Sequence, residues 1–467
     1  MTPELTPTQA DLDMMFAGEL IGPDDPRYDE ARRLFNGMID KRPALIARCT
    51  SAEDVQAALA HARAHDLIVA VRGGGHSTPG HSSCDGGIVI DTSPMKSVQV
   101  DLAAYTGRFG AGLTWAELDA ATQQHGVAVT GGRVSHTGVA GLTLGSGSGW
   151  LERTYGMTCA SLISAEVVTA DGRIVRASEH ENADLLWGLK GGGGNFGIVT
   201  EFEFRLHPVG PIVYAGMILH PRAAASELVR FYRDFMEQAP DEVGGGLALL
   251  TAPPEGFVPA EARGKPACGV IVIYVGDPHD GEEALRPLLE WGDPWVTLVQ
   301  PMPYVAVQQM IDAAMPWGIN EYAKIAYLPE LPDEAADALV DNGNNANSPF
   351  TQVILCPLGG AVSRMDRSAM ALAMPDTKWM YFCLAFWWDP TVTDTEIAWA
   401  RTFMNAMLPW SVNQAPANMI HDDGEARLRV SYGEEKFRRL VALKDKYDPE
   451  NVFSLNPNIP PSGDTSQ

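Results

Sequence analysis

At 467 residues, 45% of them hydrophobic and 20% charged, the chain is too long for one ordinary core, and two or three domains are expected. Its formal net charge of −25 repels phosphate backbones and anionic headgroups, and no basic patch relieves it, so nucleic-acid and membrane-surface partners are not expected. No window approaches about eighteen uninterrupted apolar residues and the acidic start lacks the segments of a signal peptide, which predicts a soluble, cytoplasmic protein.

In chain order, RPALIARCT reads as a short strand and SAEDVQAALAHARAHD as a helix, with Ser51 and Asp54 at capping-box spacing. LIVAVRGGGH is a buried strand that runs into a glycine loop. Further strands are predicted in GGIVIDTS, SLISAEVVTADGRIVRAS and GIVTEFEFRLHPV, with TADG as a hairpin turn. From about residue 208 the texture changes to helices (AAASELVRFYRDFMEQA, DEAADALVDNGNN, DTEIAWARTFMNAML) alternating with apolar strands (CGVIVIYVG, FTQVILCPLGGA, KWMYFCLAFWWDP). The tail adds one amphipathic helix and a proline-bounded end whose last polar residues are expected to fray. The expected units are therefore 1–207, 208–417 and a closing segment, 418–467.

The scattered cysteines, Cys49, Cys84, Cys159, Cys268, Cys356 and Cys383, have no zinc-site spacing and are expected to be reduced thiols. His61 and His65 lie four apart on a predicted helix, but no third ligand accompanies them, so they are expected to be two exposed histidines.

Three glycine-rich stretches, Arg72–His76, Gly138–Gly149 and Gly191–Gly197, bear on function. Glycines let backbone N–H groups approach a pyrophosphate closely without help from surface lysines. The third stretch contains GxGxxG, but a helix precedes it and a strand follows, the reverse of a nicotinamide-binding turn. No GK[ST] follows any loop, and GSGSG offers no GxSxG register, so neither a Walker loop nor a serine nucleophile is supported. Together the three loops, one tipped by a histidine, point to a large phosphate-bearing cofactor.

VAVRGGGHSTPGHSSCDGGIVID, SHTGVAGLTLGSGSGWLERTYG, GLKGGGGNFGIVTEFEF and KYDPENVFSLNPNIPP, in that order, resemble the FAD-linked oxidases of the vanillyl-alcohol oxidase and p-cresol methylhydroxylase superfamily, in the berberine bridge enzyme-like branch. The resemblance runs from about residue 20 to 461. It implies an α+β, two-domain PCMH-type FAD-binding fold, in which the N-terminal part and the tail hold the cofactor under a substrate domain of antiparallel sheet flanked by helices.

Carried over by position, the resemblance places Arg72, Gly73, Gly74, Gly75 and Ser77 at the pyrophosphate and His76 in an 8α-histidyl link to the flavin. Thr137, Gly138, Gly141, Gly145, Asn195, Ile198, Asn456 and Asn458 are the further implied contacts. Val134 stands where some relatives carry a second, cysteinyl tether, so attachment through His76 alone is expected; Thr137, being small, favours reaction with O2. Ser148 replaces a usual aromatic residue.

For substrate chemistry the resemblance implies Tyr322, Lys324, Gln352 and Asn418, with His136 and Tyr432 as outlying candidates. Ile354 occupies the position where relatives often carry a glutamate, which leaves the base open among Lys324, Tyr432 and a substrate amine that arrives neutral. The expected activity is hydride transfer from a small organic alcohol or amine to FAD, then electron transfer to O2 with release of H2O2. A tailoring oxygenase or dehydrogenase on the same fold and a flavin-binding protein without turnover are the alternatives. A small-molecule substrate and O2 are the expected partners, and the chain is expected to be a monomer or homo-oligomer.

Overall fold

Alternation of β-branched and small residues builds the first half of the chain. The computed structural model describes residues 12, 15–412, 414–420 and 424–463. Strands β1 (Glu19–Ile21), β2 (Leu45–Arg48), β3 (Val69–Arg72) and β4 (Ile88–Asp91) form a sheet in the order β1-β2-β4-β3, parallel except at β1. Fully buried parallel strands favour apolar runs such as IVID, whose four residues are all buried. The predicted helix spans Ala52–Ala64, with the Ser51 hydroxyl accepting from the Asp54 backbone N–H at 3.2 Å. The reciprocal half of the capping box is absent, because the Asp54 carboxylate accepts instead from the N–H groups of Ala17 and Thr50, each at 2.8 Å. His61 is buried, contrary to the expected exposed pair.

The next strands are β5 (Val98–Asp101), β6 (Thr106–Gly110), β7 (Val127–Ala128), β8 (Leu162–Val168), β9 (Ile174–Ser178), β10 (Ile198–Arg205) and β11 (His207–Pro208). Five of them form an antiparallel sheet, β5-β6-β10-β8-β9, while β7 pairs with β11. β8 and β9 are the predicted hairpin, closed by Gly172 at φ +82°. The Gly138–Gly149 stretch is not all loop: Val139–Gly145 is helical. The tail helix, Glu434–Tyr447, packs Phe437, Leu440 and Leu443 into the same core as Phe109, Phe202 and Phe204.

The remaining strands are β12 (Ile212–Pro221), β13 (Val243–Thr251), β14 (Pro266–Tyr274), β15 (Val296–Pro303), β16 (Asn320–Leu328), β17 (Gln352–Pro357) and β18 (Trp379–Trp387). They make one antiparallel sheet in the order β15-β12-β14-β13-β17-β18-β16. Helices Ala225–Gln238, Asp333–Gly343 and Thr393–Met407 pack on one face, around Tyr232, Trp379 and Phe403. Period-2 alternation then sends Met380, Phe382, Leu384 and Phe386 of β18 to the other face, toward the glycine loops.

No helix among the described residues is long and apolar enough to cross a membrane. All six cysteines are buried and free. The expected fraying of the extreme C-terminus, residues 464–467, lies outside the described residues, as does most of the acidic start.

Candidate active site

A cavity of about 400 Å³ lies between the glycine loops and the face of the seven-stranded sheet opposite those three helices. Its lining includes Gly73–Ser77, Thr137, Gly138, Gly141, Gly145, Gly193, Gly194, Ile198 and, from the tail, Asn456. The first two loops touch backbone to backbone: a Cβ on Gly74 would lie 2.3 Å from the Gly138 nitrogen, and one on Gly138 2.4 Å from the Gly74 nitrogen. Only glycine at both positions permits this approach. Gly141 and Gly194 border open space.

His76 is held on three sides. Phe35 stacks on its ring at 4.3 Å between centroids, Trp317 meets it edge-on at 5.7 Å, and Nε2 lies 2.7 Å from Nδ1 of His136. His136 Nε2 in turn lies 3.1 Å from the Met315 carbonyl, which only accepts, so His136 carries its proton on Nε2. His136 Nδ1 is then the acceptor and His76 Nε2 the donor, which leaves the lone pair of His76 on Nδ1. Burial, then the charge of His136, pushes the His76 imidazole down to about 3, so it is neutral near pH 7.

Asn36 joins this loop to the sheet. Its amide donates to the Thr78 carbonyl at 2.8 Å and the Glu321 carbonyl at 3.0 Å, and its Oδ1 accepts from the Glu321 N–H at 3.0 Å. Glu321 lies on the cavity face of β16 and is the one acidic residue among the described lining.

The comparisons with known proteins fit this geometry. The family model described as "FAD binding domain" matches residues 43–178, and that described as "Berberine and berberine like" matches residues 418–460. The chain is 34% identical to the FAD-linked oxidoreductase pgmH of Aspergillus terreus over 472 residues, covering 92% of this chain and 90% of that one. This chain belongs to the FAD-linked oxidoreductases. Among solved structures, 6-hydroxy-D-nicotine oxidase from Arthrobacter nicotinovorans superposes with a TM-score of 0.84 at 26% identity, covering 95% of this chain and 98% of that one. The carbohydrate oxidase of Microdochium nivale shares the fold, with a TM-score of 0.84 at 23% identity over 97% of this chain and 99% of that one. The protein is thus an FAD-dependent oxidoreductase.

The oxidoreductase's own residues fit an FAD. Asn418 Oδ1, Asn456 Oδ1 and Ser82 Oγ are buried without a hydrogen-bond partner, and all three residues line the cavity. Because these three residues line the cavity, a cofactor bound there would supply the missing partners. A Cβ on Gly145 would lie 2.3 Å from Asn418 Cγ, so glycine there is what admits the asparagine.

Other expected contacts are placed elsewhere. Arg72 does not line the cavity: its guanidinium pairs with Asp91 at 2.6 Å and also bonds the Ala31 carbonyl. Asn195 uses both ends of its amide as a structural tie, donating to the carbonyls of Gly192 (2.9 Å) and Pro457 (3.3 Å) and accepting from the Ile459 N–H (3.0 Å). Asn458 lies beside the lining, with its Oδ1 buried and unpartnered. Ser77 lines the cavity while its hydroxyl accepts from the His81 N–H at 2.9 Å.

Strand parity separates the substrate candidates. Tyr322 and Lys324 point away from the flavin cavity into a second one of about 350 Å³ behind the sheet, lined also by Tyr381, Arg401 and Arg427. Lys324 lies over the Tyr322 ring at 5.3 Å and Arg401 at 5.7 Å. Gln352, at the start of β17, does not reach the lining, although Ile354 two residues on does. Tyr432 is also outside it: the hydroxyl donates to the Gly191 carbonyl at 2.8 Å, and burial raises its pKa, so it serves the loop rather than a reaction. His136 stands behind His76 and is not in the lining, so of the six candidates only Asn418 reaches the cavity.

Sequence reasoning missed Glu321 and Arg133. Arg133 lines the cavity, pairs with Glu152 at 2.5 Å, bonds Ser148 Oγ at 2.7 Å and lies over Trp150 at 5.2 Å. Glu321 was detectable, because the odd-numbered residues of NEYAKIAYL, 321, 323 and 325, share a face that excludes Lys324. Gly74→Ala is expected to force the first two loops apart, and the purified variant should show less than half the wild-type ratio of flavin to protein absorbance.

Proposed function

We propose that the protein is an oxidase of a small organic alcohol or amine, with FAD attached through His76 alone. The observation that carries this reading is His76 itself, a neutral imidazole at the cavity wall with its lone pair on Nδ1 because His136 accepts from Nε2. Neutral imidazole is a competent nucleophile, and a bond to the flavin 8α carbon would prevent cofactor loss. Val134 lines the cavity and carries no nucleophile, which supports a single tether.

When bound, FAD supplies a two-electron acceptor that O2 can reoxidise. The glycine loops supply backbone N–H groups for its phosphates, Asn418 and Asn456 supply unspent carbonyl oxygens, and the apolar sheet face excludes water. Thr137 lines the cavity and is small, which leaves O2 room to approach. Six buried, unpaired cysteines suit the reducing cytoplasm.

An oxygen-electrode screen over alcohols, cyclic amines, phenols and sugars tests the activity. Oxygen uptake with stoichiometric H2O2 from at least one alcohol or amine is expected. Anaerobic bleaching without peroxide under air would instead support a dehydrogenase.

A further inference from the structure

The sheet face that covers the cavity is unusually poor in polar groups. β16, β17 and β18 present Ile325, Ile354, Met380, Phe382, Leu384 and Phe386 to it, and among the described residues a single ionisable group, Glu321. The residue is 7% exposed; Thr78 hydrogen-bonds its carboxyl, and Oε2 is buried with no partner. A buried acceptor left open costs about 1–3 kcal/mol, so its retention calls for an occupant. The backbone beneath it is clamped through both its N–H and its carbonyl by Asn36, so the side chain is aimed from a rigid base.

We propose that Glu321 is the polar anchor of the substrate half of the cavity, and that it selects a compact, mostly apolar molecule bearing one hydroxyl or amine rather than a carbohydrate. The proposal rests on the oxidase reading above and names its substrate class. A sugar carries a hydroxyl on most carbons, and each one stripped of water against Ile, Met and Phe side chains goes unpaired. An aryl or alicyclic body instead gains from burial at about 25 cal/mol per Å² and needs one partner, which Glu321 Oε2 supplies.

Burial pushes the Glu321 carboxyl up to about 7. Two of the other titratable groups around the cavity are held well below neutrality. The histidine loop brings His76, at about 3, and His81, which burial and then Lys41 push down to about 4. The adjoining loop brings His136, lowered chiefly by burial, and Arg133, whose charge is paired with Glu152. β17 and β18 add none to the lining. Asp119, which burial pushes up to about 7, bonds Gln308 behind the lining residue Gly132 and is unchanged in Glu321→Gln, so a change near neutral pH that is lost in that variant reports Glu321.

The flavin absorbance of the holoenzyme, recorded anaerobically from pH 5 to 9, tests the anchor. One transition near neutral pH is expected in the wild type and none in Glu321→Gln, whose flavin content reports that it has folded. Benzyl alcohol or benzylamine is expected to perturb the spectrum at concentrations at least about tenfold below cellobiose, and Glu321→Leu to weaken that binding about tenfold while leaving toluene unchanged. A pH-independent wild-type spectrum, a transition that survives in Glu321→Gln, or cellobiose acting at or below the concentrations of the aryl compounds overturns the proposal. Missing peroxide with these results intact would remove the oxidase reading and leave the anchor standing.

Discussion

Asp448→Ala is expected to lower the unfolding free energy by about 3–5 kcal/mol, because it strands a buried ammonium. Lys444 and Asp448 are both fully buried and 2.6 Å apart. The ammonium also donates to the carbonyls of Asn195 and Phe453, each at 3.1 Å, while the carboxylate accepts from the N–H groups of Val452 (2.8 Å) and Phe453 (2.9 Å). This network ties the tail helix, the end of the third glycine loop and the irregular tail that carries Asn456. Urea denaturation should show the midpoint fall, and flavin content should fall with it, because Asn456 loses its fixed position on the cavity wall. The double variant Lys444→Met with Asp448→Leu should recover a large part of the loss, since removing both charges leaves neither unpaired. Recovery no better than for Asp448→Ala would mean that the backbone hydrogen bonds, and not the charge pair, dominate.

His76→Ala is expected to move the flavin from wholly protein-bound to wholly released. Acid precipitation of the wild type should leave the yellow colour in the pellet, and that of the variant should leave it in the supernatant. The variant keeps the Gly74 and Gly138 approach and the open acceptors of Asn418 and Asn456, so it should still bind FAD without a bond. Val134→Ala should behave as wild type. Colour in the wild-type supernatant would refute the attachment, whatever the activity. His136→Ala separates positioning from chemistry: without the acceptor for His76 Nε2, His76 is free to take either tautomer, and attachment should slow rather than vanish.

The order of elements and the glycine-rich stretches were legible in the sequence, because local chemistry governs both. GGGH and GGGGNFG hold glycines at positive φ, as at Gly75 (+70°) and Gly193 (+72°), which local backbone sterics alone require, whereas GVAGLTLG, which reads as loop, is helical over Val139–Gly145. Hydrophobic alternation likewise marked β8, β10, β14 and β18. The substrate face was far less legible. Tyr322 and Lys324 have the residue types of a reaction site, yet one position of strand parity sends them behind the sheet and brings Glu321 forward.

Arg72 shows the same limit: its place in the motif suggests a phosphate contact, but Asp91, 19 residues away on the adjacent strand β4, claims its guanidinium. Tyr432 and Asn195 are held by partners 241 and 262 residues distant, at Gly191 and Pro457, so their structural roles exist only once the tail has folded back. The sequence by itself therefore determined that the chain builds glycine cradles around a histidine, since backbone sterics act within a few residues. Only the tertiary structure decided which side chains enter the cavity, because that depends on which sheet face meets the cradle, a matter of long-range packing.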